Sequence, residues 1–149
     1  ETGAFGALGL EPNVDFLWDT FGEVEGSALG LRTHPRALAK LALLYLQDGI
    51  AIPGEPPIVS QSWVASSTTN QLAPGIVPDN NPLYSGYGYH WYTQNDGSYA
   101  MFGGGGQIAE VHPSEDIVIA IMTPFRGQAM IPQTTIDSVK LLRTARNNF

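Results

Sequence analysis

Tyr99-Ala-Met-Phe-Gly-Gly-Gly-Gly-Gln-Ile-Ala-Glu-Val-His-Pro113, continued by Asp116-Ile-Val-Ile-Ala-Ile-Met-Thr123, is the stretch on which the reading of this sequence turns. Its pattern predicts a strand, a glycine corner, a second strand, a short turn and a third strand. Gly103 to Gly106 carry no Cβ, so a positive φ is accessible and another molecule can approach their amides closely. A flexible hairpin turn is the plain reading of such a run. The strand on each side argues for more, because it fixes the corner at the edge of a sheet.

Outward from that stretch, the aromatic run Tyr87-Gly-Tyr-His-Trp-Tyr-Thr93 is β-prone and ends at Asn95-Asp-Gly97, a strong hairpin signal. The strands expected are residues 86–93, 98–103, 106–112 and 116–123, paired antiparallel. The last is apolar on both faces, as a strand covered by a layer on each side is. Residues 135–147 read as a final helix with Lys140, Arg143 and Arg146 near its C-terminus, where they complement the helix dipole.

Upstream, Pro35 suits the first position of a helix over residues 36–47, which Gly49 stops, and His34 reads as a cap or surface residue. Leu38, Leu41, Ala42 and Tyr45 form one face of this helix, yet Leu43, Leu44 and Leu46 occupy the other sides. A helix apolar almost all round has to be covered on more than one side. Ser60 is a natural N-cap for a short helix ending near Ser67. Residues 53–57 and 70–83 read as loops, the second long enough to edge a site, and residues 4–32 read as loop-rich.

The chain has 149 residues, 43% of them hydrophobic, enough to bury one core. A net charge of −7 argues against a nucleic-acid partner or an anionic membrane surface. Glu11, Asp15, Asp19, Glu23 and Glu25 read as a solvated face rather than a metal site, since no histidine accompanies them. The absence of cysteine excludes disulfides and thiol catalysis. No apolar run approaches the roughly 18 residues of a membrane helix. Residues 1–3, Glu-Thr-Gly, look like the remnant that secretion vectors leave, which points to a secreted or periplasmic product. Residues 4–149 then form part of a single domain. No pair of histidines has metal-ligand spacing, and the glycine run is followed by a strand rather than a helix, so neither metal nor nucleotide cofactor is expected.

In order and spacing these motifs resemble the serine β-lactamase and penicillin-binding-protein superfamily. The likeness is greatest to its class C-like branch of esterases, D-amino-acid peptidases and 6-aminohexanoate-dimer hydrolase. Met101-Phe102-Gly103 falls on the third active-site element, which is Lys-Thr-Gly in β-lactamases, and Gly104-Gly-Gly-Gln107 follows it as Gly-Gly-Gln follows in relatives. Ala4-Phe-Gly-Ala-Leu-Gly-Leu10 resembles the segment Phe-x-Pro-Leu-Gly-Ile. Glu25-Gly-Ser-Ala-Leu-Gly-Leu-Arg-Thr33 resembles Gly-Gly-Leu-Arg-Leu-Thr, Trp63-Val64 the Leu-x-x-x-Trp-Val helix, and Tyr87-Gly-Tyr-His-Trp-Tyr-Thr93 the strand Tyr-Gly-Tyr-x-Trp-Trp. The likeness runs from Phe5 to about Leu142. It implies an α+β fold with an antiparallel sheet flanked by helices, β-lactamase-like.

That resemblance implies a serine hydrolase acting on an ester, amide or lactam. Its mechanism requires Ser-x-x-Lys, in which the lysine helps deprotonate the nucleophile, and Tyr-x-Asn, whose tyrosine exchanges protons with the leaving group. Neither occurs here: Ser138-Val-Lys140 and Tyr92-Thr-Gln-Asn95 both miss the spacing. In the family both lie upstream of Phe-x-Pro-Leu-Gly. The chain is therefore expected to be the C-terminal half of such a fold, lacking the half that carries the nucleophile, and inactive alone. Its partner is expected to be the N-terminal half or a second copy. By the resemblance the backbone N–H of Gly104 is the second oxyanion-hole donor. Met101, Phe102, Gly103 and Gln107 fall on the substrate-binding side, although replacement of Lys and Thr removes the groups that support substrate-carboxylate recognition. His90, beside the corner by the strand reading, is expected in the pocket wall or an aromatic cluster, and His112, next to Pro113, at a solvated turn. The rival reading is a β-lactamase-like binding or interaction domain without catalysis, which Met101 and Phe102 favour.

Overall fold

The computed structural model describes residues 3–25, 30–78, 81–123 and 133–146. Residues 1–2 of the suggested vector remnant 1–3 and residues 26–29 of the Glu25–Thr33 motif lie outside them. Helix α1 (Gly3–Ala7) is followed by four short strands, β1 (Phe16–Trp18), β2 (Thr20–Phe21), β3 (Val24–Glu25) and β4 (Leu31–Thr33). Then come α2 (Pro35–Leu46), α3 (Gln61–Ser67), strands β5 (Gly86–Tyr87), β6 (Tyr92–Thr93), β7 (Tyr99–Phe102), β8 (Ile108–His112) and β9 (Ile117–Ile121), and α4 (Gln133–Arg146).

The fold is α+β, built on a five-stranded antiparallel sheet in the order β5-β6-β7-β8-β9. Each strand pairs with its neighbour in sequence, so local turns dictate the register. Between β6 and β7 the Asn95-Asp-Gly97 turn forms as expected. Gly97 takes φ +85, Gln94 N–H donates to Ser98 O (2.9 Å), and Asp96 accepts from Ser98 N–H (2.9 Å). A 3-10 turn (Pro113–Glu115) links β8 to β9 and closes on Asp116 in the left-handed region, φ 57.

Residues 86–93 are not one strand, and here the expectation is corrected. The chain reverses within them: Gly86 pairs with Thr93 and Tyr87 with Tyr92, making a hairpin of two short strands. Tertiary contact with α3 overrides the β propensity of the aromatic run. Tyr89 N–H donates to Ser67 O (2.9 Å), Gly88 N–H donates to Trp91 O (2.7 Å), and a Cβ on Gly88 would meet Ser67 O at 2.0 Å. His90 closes the turn at φ 63.

Alternation along the strands sorts the core onto two faces of the sheet. On one face Tyr99, Met101, Ala109, Val111 and Val118 meet α2 through Leu38, Ala42, Tyr45 and Leu46, with Trp91 wedged against Tyr45 (4.4 Å between ring centroids). On the other face Tyr92, Ala100, Phe102, Ile108 and Ile121 meet Ile136 and Val139 of α4 and Tyr84 of the preceding loop. The sheet is thus sandwiched between two helices, and β9 carries a layer on each face as its sequence demands.

Helix α2 begins as read. Its N-cap is His34, whose Nδ1 accepts from Ala37 N–H (3.2 Å), while Nε2 lies 2.9 Å from Asp15 Oδ1. Since Nδ1 accepts, the proton is on Nε2, which donates to Asp15. Two hydrogen bonds, from Glu11 N–H and from His34, hold the Asp15 carboxyl below the usual carboxylate range. The sheet covers one side of α2, and the segment after α1 approaches another, but Leu43 stays 41% exposed.

Residues 4–32 hold more structure than the loop-rich reading allowed. Two two-stranded antiparallel ladders, β1-β4 and β2-β3, form there. Phe5 of α1 packs on Phe16 (4.6 Å) and Trp18 (6.1 Å), which fastens that layer. Ser60 caps α3 through Trp63 N–H (3.2 Å) as expected.

Candidate functional site

The glycine corner joins β7 to β8 and is held by its own backbone. Gly103 N–H donates to Gln107 O (2.8 Å) and Gly106 N–H to Gly103 O (2.8 Å), with Gly106 at φ +85. From the segment just after β9 a third clamp arrives, as Thr123 Oγ1 donates to Gly105 O (2.5 Å) and Gln107 Nε2 to Thr123 O (3.3 Å). Gly105 and Gly106 are buried beneath these bonds, whereas Gly104 is exposed. Among the described residues Gly104 N–H has no hydrogen-bond acceptor, and a Cβ placed there would meet nothing within 4 Å. The corner therefore presents an exposed backbone donor, Gly104 N–H, from a clamped frame, with no acceptor for it among the described residues.

Each site residue expected from the sequence has a definite place around this donor. Gly103 is pinned at the base of the corner, where a Cβ would run into Gln107 Oε1 at 2.6 Å. The Gln107 amide turns toward Thr123, so it braces the corner. Met101 is half-buried on the α2 face, against the cluster of Trp91 and Tyr99. Phe102 is half-buried on the α4 face, edge-on to Tyr92 (5.8 Å) and Tyr84 (6.2 Å). His90 is exposed at the tip of the 88–91 turn. Because β6 and β7 run antiparallel with Tyr92 opposite Ala100, that turn leaves the sheet at the same end as the glycine corner. Topology thus brings His90 to the site's end of the sheet, outside the buried aromatic clusters.

Two contributors escaped the sequence. Thr123 locks the corner, yet a threonine at the end of an apolar strand carries no signal of that. Tyr89 and Trp63 stack at 5.6 Å with both rings about half exposed, on the turn beside His90. Two aromatics 26 positions apart become neighbours only because α3 docks on that turn.

The one buried ionic cluster lies elsewhere among the described residues. Glu110, wholly buried on β8, accepts two hydrogen bonds from Arg143 Nε (3.0 and 3.2 Å) and a further one from Nη2. His112, 1% exposed, stands with Nε2 3.4 Å from the same carboxylate and Nδ1 4.0 Å from Glu115. His112 is accordingly not at a solvated turn. Period-2 alternation puts it on the α4 face with Glu110, and Arg143 reaches in rather than serving the helix dipole alone. Burial by itself would raise the Glu110 carboxyl, but the bonds from His112 and Arg143 outweigh it and hold the group below the ordinary glutamate range. Tyr84, whose ring lies under the Arg143 guanidinium at 5.5 Å, has its phenol pushed well up by burial and by Glu110.

Chemically, the glycine corner can stabilise negative charge on an oxygen placed over Gly104. It offers no nucleophile of its own. Among the described residues no group of three His, Cys, Asp or Glu side chains is disposed to hold a metal, and no helix is long and apolar enough to cross a membrane. No protein-family model matches the chain, and no curated protein matches it.

Proposed function

We propose that this chain is the C-terminal portion of a β-lactamase-like serine hydrolase, in which Gly104 N–H is one arm of the oxyanion hole. The observation that carries the reading is the exposed Gly104 amide, without an acceptor among the described residues, on a corner clamped by Gln107 and Thr123. A backbone donor keeps its function whatever side chains precede it, so Met101 and Phe102 in place of Lys and Thr do not disable it.

In the reaction, a serine outside these 149 residues, deprotonated with the help of a lysine, attacks the carbonyl of an ester, amide or lactam. The carbonyl oxygen becomes an oxyanion and accepts hydrogen bonds from the serine's own N–H and from Gly104 N–H. Collapse expels the leaving group, protonated through a tyrosine, and water then hydrolyses the acyl-enzyme. One such donor is worth about 3–4 kcal/mol in the transition state. The complementary half docks along the outer edge of β9, the terminal strand of the sheet among the described residues.

The test is to replace the Gly103–Gly104 peptide bond by an ester in the assembled enzyme, which deletes the Gly104 N–H and weakens Gly103 O as acceptor of Gly106 N–H, with a Gly105–Gly106 ester, which removes that clamp but keeps the Gly104 N–H, as the control. The rate constant of acylation is expected to fall about 10²–10³-fold with little change in KM. An unchanged rate would remove Gly104 from the mechanism.

A second reading is favoured by a specific observation. Met101 and Phe102 fill the two core faces, so the strand before the corner offers packing where hydrolases of this kind offer polar groups. On that reading the fold serves as a binding or interaction domain without catalysis. A p-nitrophenyl ester or nitrocefin assay on the assembled protein separates the two.

A further inference from the structure

The stripe Lys40, Leu43, Leu44 and Gln47 runs along a side of α2 that the sheet does not cover. Opposite it stand residues 6–9, at the end of α1, and the turn carrying Ala51 and Ile52. These three elements do not close on one another, and a cavity of about 430 Å³ lies between them. Its walls are apolar, with Leu43 and Ile52 left 41% and 58% exposed at its mouth. The single charge in the lining is Lys40. The residue is half-buried, and its ammonium donates two long hydrogen bonds, to Leu8 O (3.3 Å) and Gly9 O (3.5 Å). Among the described residues no carboxylate lies within ion-pair distance of it, in a chain whose acidic groups outnumber its basic ones by seven.

Asp15 feels the Lys40 charge only from beyond ion-pair distance, and the ammonium has three protons to give, of which two are weakly engaged. An apolar cavity of this size with one charged group is the usual form of a small-molecule site. We propose that the cavity binds an aliphatic monocarboxylate, its chain against Leu8, Leu43, Leu44 and Ile52 and its carboxylate on Lys40. Charge selects the head group and the apolar walls select the tail. The site shares no residue with the glycine corner and does not depend on the hydrolase reading.

The experiment titrates the ¹⁵N-labelled chain with hexanoate, octanoate and decanoate below their micellar concentrations, with octanol as the uncharged control. Shifts are expected at residues 6–9, 40–47 and 51–52. Octanoate is expected to bind about tenfold or more tighter than octanol, and each added methylene to tighten binding up to about fourfold. Lys40→Met should bring octanoate down to the affinity of octanol while octanol is unaffected, and Leu43→Asp should abolish both. The wild-type head-group and chain-length series decides the matter even if a variant fails to fold. Equal binding of octanoate and octanol, or shifts confined to the glycine corner, would overturn the proposal. So would a dimer formed through α2 that excludes octanoate.

Discussion

Glu110 and Arg143 form the most sharply testable pair at the level of single residues. The carboxylate is completely buried, so removing its main partner strands a charge in the core. Arg143→Met is expected to cost about 3–5 kcal/mol in urea unfolding, and combining it with Glu110→Gln should cost clearly less than the two singles summed. Glu110 also makes stability depend on pH in a defined direction. The unfolded chain takes up this proton in the ordinary glutamate range, whereas the folded carboxyl resists it to lower pH. Its contribution is complete above the unfolded value and is lost as pH falls through the depressed folded one. Urea midpoints followed from about pH 7 to pH 3 should fall less steeply with acid in Glu110→Gln than in wild type; parallel curves would refute this. Glycines divide as sharply. Gly88→Ala drives a Cβ into Ser67 O and should cost about 1–3 kcal/mol, while Gly104→Ala points into open space and should change stability by no more than about 0.5 kcal/mol.

Among the elements, the turn between β5 and β6 explains what could and could not be read in advance. Asn95-Asp-Gly97 announces a hairpin by local chemistry alone, β7 and β8 flank the glycine corner, and β9 follows from its unbroken apolar run, so that part of the sheet was legible. Tyr87 to Tyr92 has every local mark of a strand, and only its docking on Ser67 O reverses it. His112 misled for a related reason: Pro113 marks a turn, but parity with Glu110 and the reach of Arg143 from 33 positions away bury it. Strands β1 to β4, two or three residues each, are too short for any period to register. The resemblance singled out the Gly104 amide, whereas nothing in the sequence signalled the clamp on its corner by Thr123. Because His90 is an exposed residue held at φ 63, His90→Gly should stabilise the chain by about 0.5–1 kcal/mol, measured by thermal unfolding. A loss of stability instead would mean that the imidazole makes a contact worth more than the strain.

The two edges of the sheet are treated differently, and this bears on the whole molecule. At β5 the edge is closed: Asn70 Oδ1 accepts from Tyr87 N–H (2.9 Å) and Gln71 N–H donates to Tyr87 O (2.8 Å). At β9, an uncharged run of Ile, Val and Ala without proline, no backbone partner lies on the outer side among the described residues. Such an edge invites another strand. In the isolated chain its outward amides should exchange fast with solvent and gain protection when the proposed complementary half, or a second copy, is added. Light scattering that finds a stable monomer at high concentration, with amides 117–121 all protected, would count against docking there. The 149 residues alone should hydrolyse neither β-lactams nor simple esters above background. The central claim is most directly tested by treating the full translated polypeptide with a fluorophosphonate probe and mapping the adduct by mass spectrometry. A single modified serine outside these 149 residues, followed three positions later by lysine, is the predicted result; no adduct, or one on a serine within them, would contradict it.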